Sequence, residues 1–292
     1  MISAITKEKD GTIKLTITIP SYEVVKTKNE VVEGMIQNTT LPGFRKGKAP
    51  RKLVEEKLDK AAIQEEVLKK LLPKFYVDAV SENKLKPIIN PKIHVDKFED
   101  LSTLSEQSES KGWTFTALTC EAPNIELGSY KENVKKINAK SKIIVPGKEP
   151  FDVAQGKPEK PKSEETIKAL LDSVNCQIPK ILIDQEVDRS LSQLLDEVKK
   201  LGLNLDQYLA STGKTPESVR KDYEQKAEND IKFEFALQQI ADKENITVDQ
   251  KEVDEAINKA KDDQERKNLE ANRYLLTSIL RQQKTLDFLR DL

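Results

Sequence analysis

Aromatic residues make up only 5% of this 292-residue chain; histidine occurs once and cysteine twice. An aromatic-lined substrate pocket is therefore poorly supplied, and any Ser/His/Asp or Cys/His catalytic arrangement would depend wholly on His94. Cys120 and Cys176 lie far apart with no CxxC pairing, which argues against zinc and against a disulfide framework and suits a reducing cytoplasm. No GxGxxG, Walker loop or HExxH occurs, so neither a metal nor any other cofactor is expected. No apolar run approaches the ~18 residues of a membrane span. The N-terminus, MISAITKEKD, is charged by Lys7 and lacks the apolar core of a secretion signal. The expectation is a cytoplasmic protein with no membrane partner. The formal net charge is −1, so the whole chain is not a polycation for nucleic acid.

What is abundant is charge of both signs, 34% of the residues, a composition suited to amphipathic helices with solvated outer faces. Residues 12–20, TIKLTITIP, place Ile13, Leu15, Ile17 and Ile19 on one face of a half-buried strand that Pro20 ends. Ser21 is expected to cap a helix carrying Val25, Val32 and Ile36 in one stripe and Val24, Val31 and Met35 beside it. After a loop, a helical stretch begins near Arg51 and Lys52 with Leu53, Val54 and Leu58. A second helix is expected from about Ala61 to Asn83, with Ile63, Val67, Leu68, Leu71 and Leu72 inward and Pro73 as a candidate kink. PKIHVDKF and GWTFTALTCEA read as two further strands around a serine-rich loop. His94, in the first of these, reads as a surface or packed histidine. The pattern is a compact α+β domain whose last full strand closes near residue 125. Its trailing strand segment extends the domain to 145.

Residues 146–165 hold four prolines, two glycines and many charges, a linker composition. From about residue 166 to 292 the chain is expected to be all-α. IPKILIDQEVDRSLSQLLDEVKKLG spaces Ile181, Val187, Leu191, Leu194, Leu195 and Val198 for one face, with Gly202 as its stop. Thr215 is expected to cap a helix of about eight turns, and Thr247 the next, with a favourable early Asp249. A last continuous helix from Asp263 to Leu292 would place Leu269, Tyr274, Leu276, Ile279, Leu280 and Leu286 amid charge.

One stretch stands apart. In LPGFRKGKAP and the two residues after it, Arg45, Lys46, Lys48, Arg51 and Lys52 put five positive charges into eight residues with no acid among them. A polyanion such as RNA would relieve their repulsion by ion pairing and counterion release. Gly43 and Gly47 allow positive φ, while Pro42 and Pro50 stiffen the ends. Phe44 sits inside the basic cluster, where it can stack on a base or fill an apolar notch. The same residues fit a solvated interhelical turn with Phe44 tucked into the core, and residue chemistry alone leaves the two readings level.

GFRKGKAP, residues 43–50, resembles the ribosome-docking motif of bacterial trigger factor, a chaperone family that meets nascent chains at the exit tunnel. The flanking strand and helices match that context. IPKILIDQEVDRSLSQL at 178–194 and KAENDIKFEFALQQIADKENITVDQKEVDEAI at 226–257 resemble the family's helical domain. The resemblance implies an α+β ribosome-binding domain followed by an all-α chaperone domain with helical arms. It implies ribosome contacts at Phe44, Arg45 and Lys46, a tip shaped by Gly43, Gly47 and Pro50, and phosphate contacts from Lys48 and Arg51. The partners it implies are protein and rRNA beside the tunnel exit, and unfolded nascent polypeptides. Since full-length members can dimerise, a homodimer off the ribosome stays open. One departure is large: the prolyl isomerase domain of FKBP type that the family carries between its halves has here only the linker in its place. The expected function is an ATP-independent chaperone without enzyme activity, whose client-lining residues the sequence does not single out. The alternative is a general RNA-binding protein using the basic loop without binding clients. An isomerase with an unrecognised site and a periplasmic chaperone have less support.

Overall fold

The structure is a computed structural model that describes residues 2–38, 59–99, 101, 112–141, 163–260 and 262–292. Contacts divide the chain into two compact units, Met1–Ala122 with Pro179–Leu182, and Pro123–Ile178 with Ile183–Leu292.

In the first unit, β1 (Ile2–Lys7), β2 (Thr12–Ile19), β3 (Lys92–Lys97) and β4 (Trp113–Cys120) form an antiparallel sheet in the order β1-β2-β4-β3. The alternation in β2 does what it predicts: Ile13, Leu15, Ile17 and Ile19 are at most 2% exposed. Across the ladder Ile19 faces Trp113, Ile17 faces Phe115 and Leu15 faces Ala117, so one face of β2 and β4 is continuous and apolar. Each such buried Ile or Leu contributes about 1.5–3 kcal/mol. Helices α1 (Ser21–Asn38) and α2 (Lys60–Glu82) join the same core through Val24, Val31 and Val32 and through Ile63, Val67, Leu71, Phe75 and Ala79. Pro73 lies inside α2. Trp113 stacks on Phe98 at 4.4 Å and donates its Nε1–H to the Glu99 carbonyl at 2.9 Å. A buried indole is satisfied in this way.

Two details of this unit differ from the sequence reading. Strand β1 was not anticipated. It pairs with β2 through a turn at Asp10–Gly11, where Gly11 takes φ +91° and the Asp10 carboxylate accepts from the Thr12 N–H and hydroxyl at 3.0 and 2.8 Å. Ser21 is the first residue of α1 rather than its cap, since the Pro20 carbonyl already accepts from Glu23 and Val24. The helical stretch expected from Arg51 to Leu58 lies outside the described residues.

The second unit is helical. It contains α3 (Tyr130–Ser141), α4 (Ser163–Ser173), most of α5 (Lys180–Lys200), α6 (Leu205–Thr212), α7 (Pro216–Lys243), α8 (Gln250–Asn258), α9 (Asp263–Ala271) and α10 (Arg273–Asp291). Its main core joins Tyr130, Val134, Leu170, Leu237, Ile240 and Leu289, with Ile125 and Leu127. Two satellite cores close separately. One holds Leu194, Val198, Leu209 and Val219; the other holds Val253, Ile257 and Leu276. The stripe expected on α5 is buried at Ile181, Val187, Leu194 and Val198, but Leu195 is exposed. Thr215 caps α7 as expected, exchanging hydrogen bonds with Ser218 at 3.2 and 3.0 Å.

The segment 123–141, assigned from sequence to the first domain as a trailing strand, packs in the helical unit. Only Ile125–Glu126 (β5) is extended there, paired with Asn175–Cys176 (β6), and Tyr130–Ser141 is a helix. The reason is spacing: Tyr130, Val134 and Asn138 recur every four residues, and all three are buried in the helical unit. The last three residues of the expected linker, 163–165, begin α4, while 146–162 lie outside the described residues. Helix α8 starts from Asp249 rather than Thr247, and the Glu252 carboxylate accepts from the Asp249 N–H at 2.8 Å. The single last helix is two, broken at Asn272 (φ −115°, ψ 36°).

Candidate functional site

All eight residues expected at the docking tip, Gly43, Phe44, Arg45, Lys46, Gly47, Lys48, Pro50 and Arg51, lie outside the described residues. What is described is the frame on either side of them. Helix α1 runs to Asn38, and α2 starts from Asp59, whose carboxylate accepts from the Ala61 N–H at 2.9 Å. Glu30, Val31, Gly34 and Met35 of α1 line one groove of about 450 Å3 together with Ala62, Glu65, Glu66 and Lys70 of α2. The C-terminal half of α1 therefore lies beside the N-terminal half of α2. The described rim is acidic. Glu65 and Glu66 hold the Lys69 ammonium at 2.8 and 3.1 Å, and their hydrogen bonds raise its pKa.

The helical unit carries a second feature. A groove of about 420 Å3 runs between α7 and α10, with Leu237, Ala241 and Thr285 buried along its floor and Gln238, Thr277, Ser278 and Gln282 along its rim. Tyr274, 91% exposed, lines it, and Leu275 and Ile279 are 58% and 50% exposed on the same helix. Arg281 is held by the Ile246 carbonyl at 2.8 Å and by Asp242 at 2.6 Å. The sequence expectation groups Tyr274, Leu276 and Ile279 as apolar residues amid charge and assigns them no face. Two residues apart on α10, Leu276 and Tyr274 fall on opposite faces: Leu276 packs with Val253 and Ile257, and Tyr274 turns out. An apolar floor beside exposed apolar side chains, rimmed by amides and hydroxyls, can take a bulky side chain and hydrogen-bond an extended backbone.

The position of α10 is set by α3 and the end of α7. Tyr130 donates its hydroxyl to Glu244 at 2.9 Å, and the Lys131 ammonium reaches the same carboxylate at 2.7 Å. The Lys131 bond, then the Tyr130 bond, lower the Glu244 pKa. Burial, with that carboxylate beside it, pushes the Tyr130 phenol far above its ordinary value. The Lys131 ammonium also stands 5.8 Å over the Phe288 ring of α10. The Asn138 amide donates to the Leu289 and Arg290 carbonyls at 3.1 and 3.2 Å, closing the end of α10.

No catalytic constellation forms among the described residues. His94 is exposed on β3. Cys120 is buried and its thiol is pushed up to about 11, chiefly by burial, so it is not a ready nucleophile. No group of three or more His, Cys, Asp or Glu among the described residues could hold a metal ion. Among them, too, no helix is long and apolar enough to cross a membrane.

Comparison with known proteins gives matches to both halves. The family described as bacterial trigger factor protein (TF) matches residues 1–149, and its C-terminal counterpart matches residues 153–291. A trigger factor of Carboxydothermus hydrogenoformans is 25% identical over 420 aligned positions, spanning 98% of each chain. Set against 292 residues here, at least 128 of those positions have no counterpart in this chain. A trigger factor of Staphylococcus epidermidis is 20% identical over 95% of this chain and 94% of its own. One of Corynebacterium aurimucosum is 39% identical over 100 residues, which span 34% of this chain and only 22% of that relative. A solved structure from work on promiscuous substrate recognition in the folding and assembly activities of the trigger factor chaperone matches with a TM-score of 0.59 at 14% identity. It covers 100% of this chain and 99% of its own, a likeness of fold.

Proposed function

The chain belongs to the bacterial trigger factor family, and from that premise we propose that it is an ATP-independent cytoplasmic chaperone. In this reading it docks beside the ribosomal exit tunnel through residues 43–51 and shields nascent polypeptides on its helical unit. The observation that carries the reading is the pair of family matches, which span the basic loop in one half and the helical unit in the other.

The roles follow from chemistry. Arg45, Lys46, Lys48 and Arg51 would pair with rRNA phosphates, which position without reading sequence, and Phe44 would fill a local notch on the tunnel rim. A binder held there meets each emerging segment at high effective concentration, so weak individual contacts suffice. The groove between α7 and α10, lined by Tyr274, with Leu275 and Ile279 exposed on the same helix, is a surface of the needed kind. Release needs no nucleotide because each contact is weak.

The reading includes the loss of the isomerase domain. Support comes from the two matched stretches, which end at 149 and resume at 153, and from the 420-position alignment that this chain of 292 residues cannot fill. A proline-peptide isomerisation assay should therefore run at the uncatalysed rate.

The deciding test is ribosome pelleting with the intact chain and with Phe44, Arg45 and Lys46 all changed to alanine. Loss of co-sedimentation with an unchanged circular dichroism spectrum is expected. Unchanged co-sedimentation would sink the docking assignment. Equal affinity for unrelated RNA, without suppression of aggregation of an unfolding protein, would favour an RNA-binding protein that has no client.

A further inference from the structure

We draw no further inference here: the strongest candidate, the groove between α7 and α10 lined by Tyr274, belongs to the client surface already proposed, and nothing in the structure shows what else would cover it.

Discussion

Thr166 of α4 is 4% exposed, and its hydroxyl oxygen has no hydrogen-bond partner among the described residues. It borders a cavity of about 40 Å3 whose other walls include Leu170, Phe233, Leu286 and Leu289. A hydroxyl buried without a partner costs about 1–3 kcal/mol, whereas a methyl group in its place carries no such penalty. Thr166→Val keeps the branched shape, and the two residues have similar helix propensities. The variant should therefore be more stable by about 1–2 kcal/mol, taking the lower part of that range. In a unit of this size that raises the melting temperature by about 3 °C per kcal/mol. Far-UV circular dichroism follows the helical unit, while the single tryptophan, Trp113, reports on the sheet of the first unit. Urea unfolding followed by both signals should move the dichroism midpoint upward with an unchanged slope. The competing possibility is an ordered water. A space of this volume can hold one, but a buried water needs two or more polar partners, and the walls are mostly apolar. If Thr166→Val lowers stability by about 1 kcal/mol, the hydroxyl has a partner and the reasoning fails.

Gly112→Ala should destabilise the first unit by more than about 2 kcal/mol. Gly112 sits at φ +69°, and a Cβ there would meet the Ile19 carbonyl oxygen at 2.2 Å and the Ser21 nitrogen at 2.8 Å; an unshifted Trp113 fluorescence midpoint would refute this. Glu244 is held below its ordinary pKa of 4.5, so its contribution is complete above that value and is lost as the pH falls through the lowered pKa. Glu244→Gln should accordingly be less stable at pH 7, and the gap to the parent should narrow toward pH 3 in denaturant titrations at each pH. Changing Tyr274, Leu275 and Ile279 together to serine should leave the dichroism spectrum intact and weaken suppression of aggregation severalfold, since all three are at least half exposed. Full suppression by that variant would move the client surface elsewhere.

Much of the first unit was legible because its signals are local and redundant. In β2, eight residues alternate without a fault, and the core face follows from the period alone. In α2 the spacing from Ile63 to Leu71 marks the inward face, and the structure extends it by Phe75 and Ala79. What failed was weaker in kind. β1 has only six residues, and its turn sits among Lys7, Glu8 and Lys9, where charge masks the Asp-Gly hairpin signal. Segment 123–141 holds only the two-residue strand Ile125–Glu126 before the helix that begins at Tyr130, and the expectation of a trailing strand overlooks the spacing of Tyr130, Val134 and Asn138. Only tertiary packing assigns it to the helical unit, through Tyr130, Asn138 and their partners on α7 and α10.

The candidate site divides along the same line. The basic loop is legible by composition, yet charge density alone does not separate a dock from a solvated turn; the docking role proposed for it rests on the resemblance of residues 43–50, which lie outside the described residues. The proposed client surface was illegible for a more general reason. On an amphipathic helix, the same apolar residue types build the core and any exposed binding face, and only the phase of the helix tells them apart. In α10, Tyr274 and Leu276 are two residues apart and therefore about 200° apart around the axis, so one can pack inward at 9% exposed while the other is 91% exposed. Which of the two faces turns inward is set by the packing of Leu276 against Val253 and Ile257 of α8, a contact distant in sequence. A surface of the kind proposed here, made of such residues, becomes visible only once the packing partners of each helix are known.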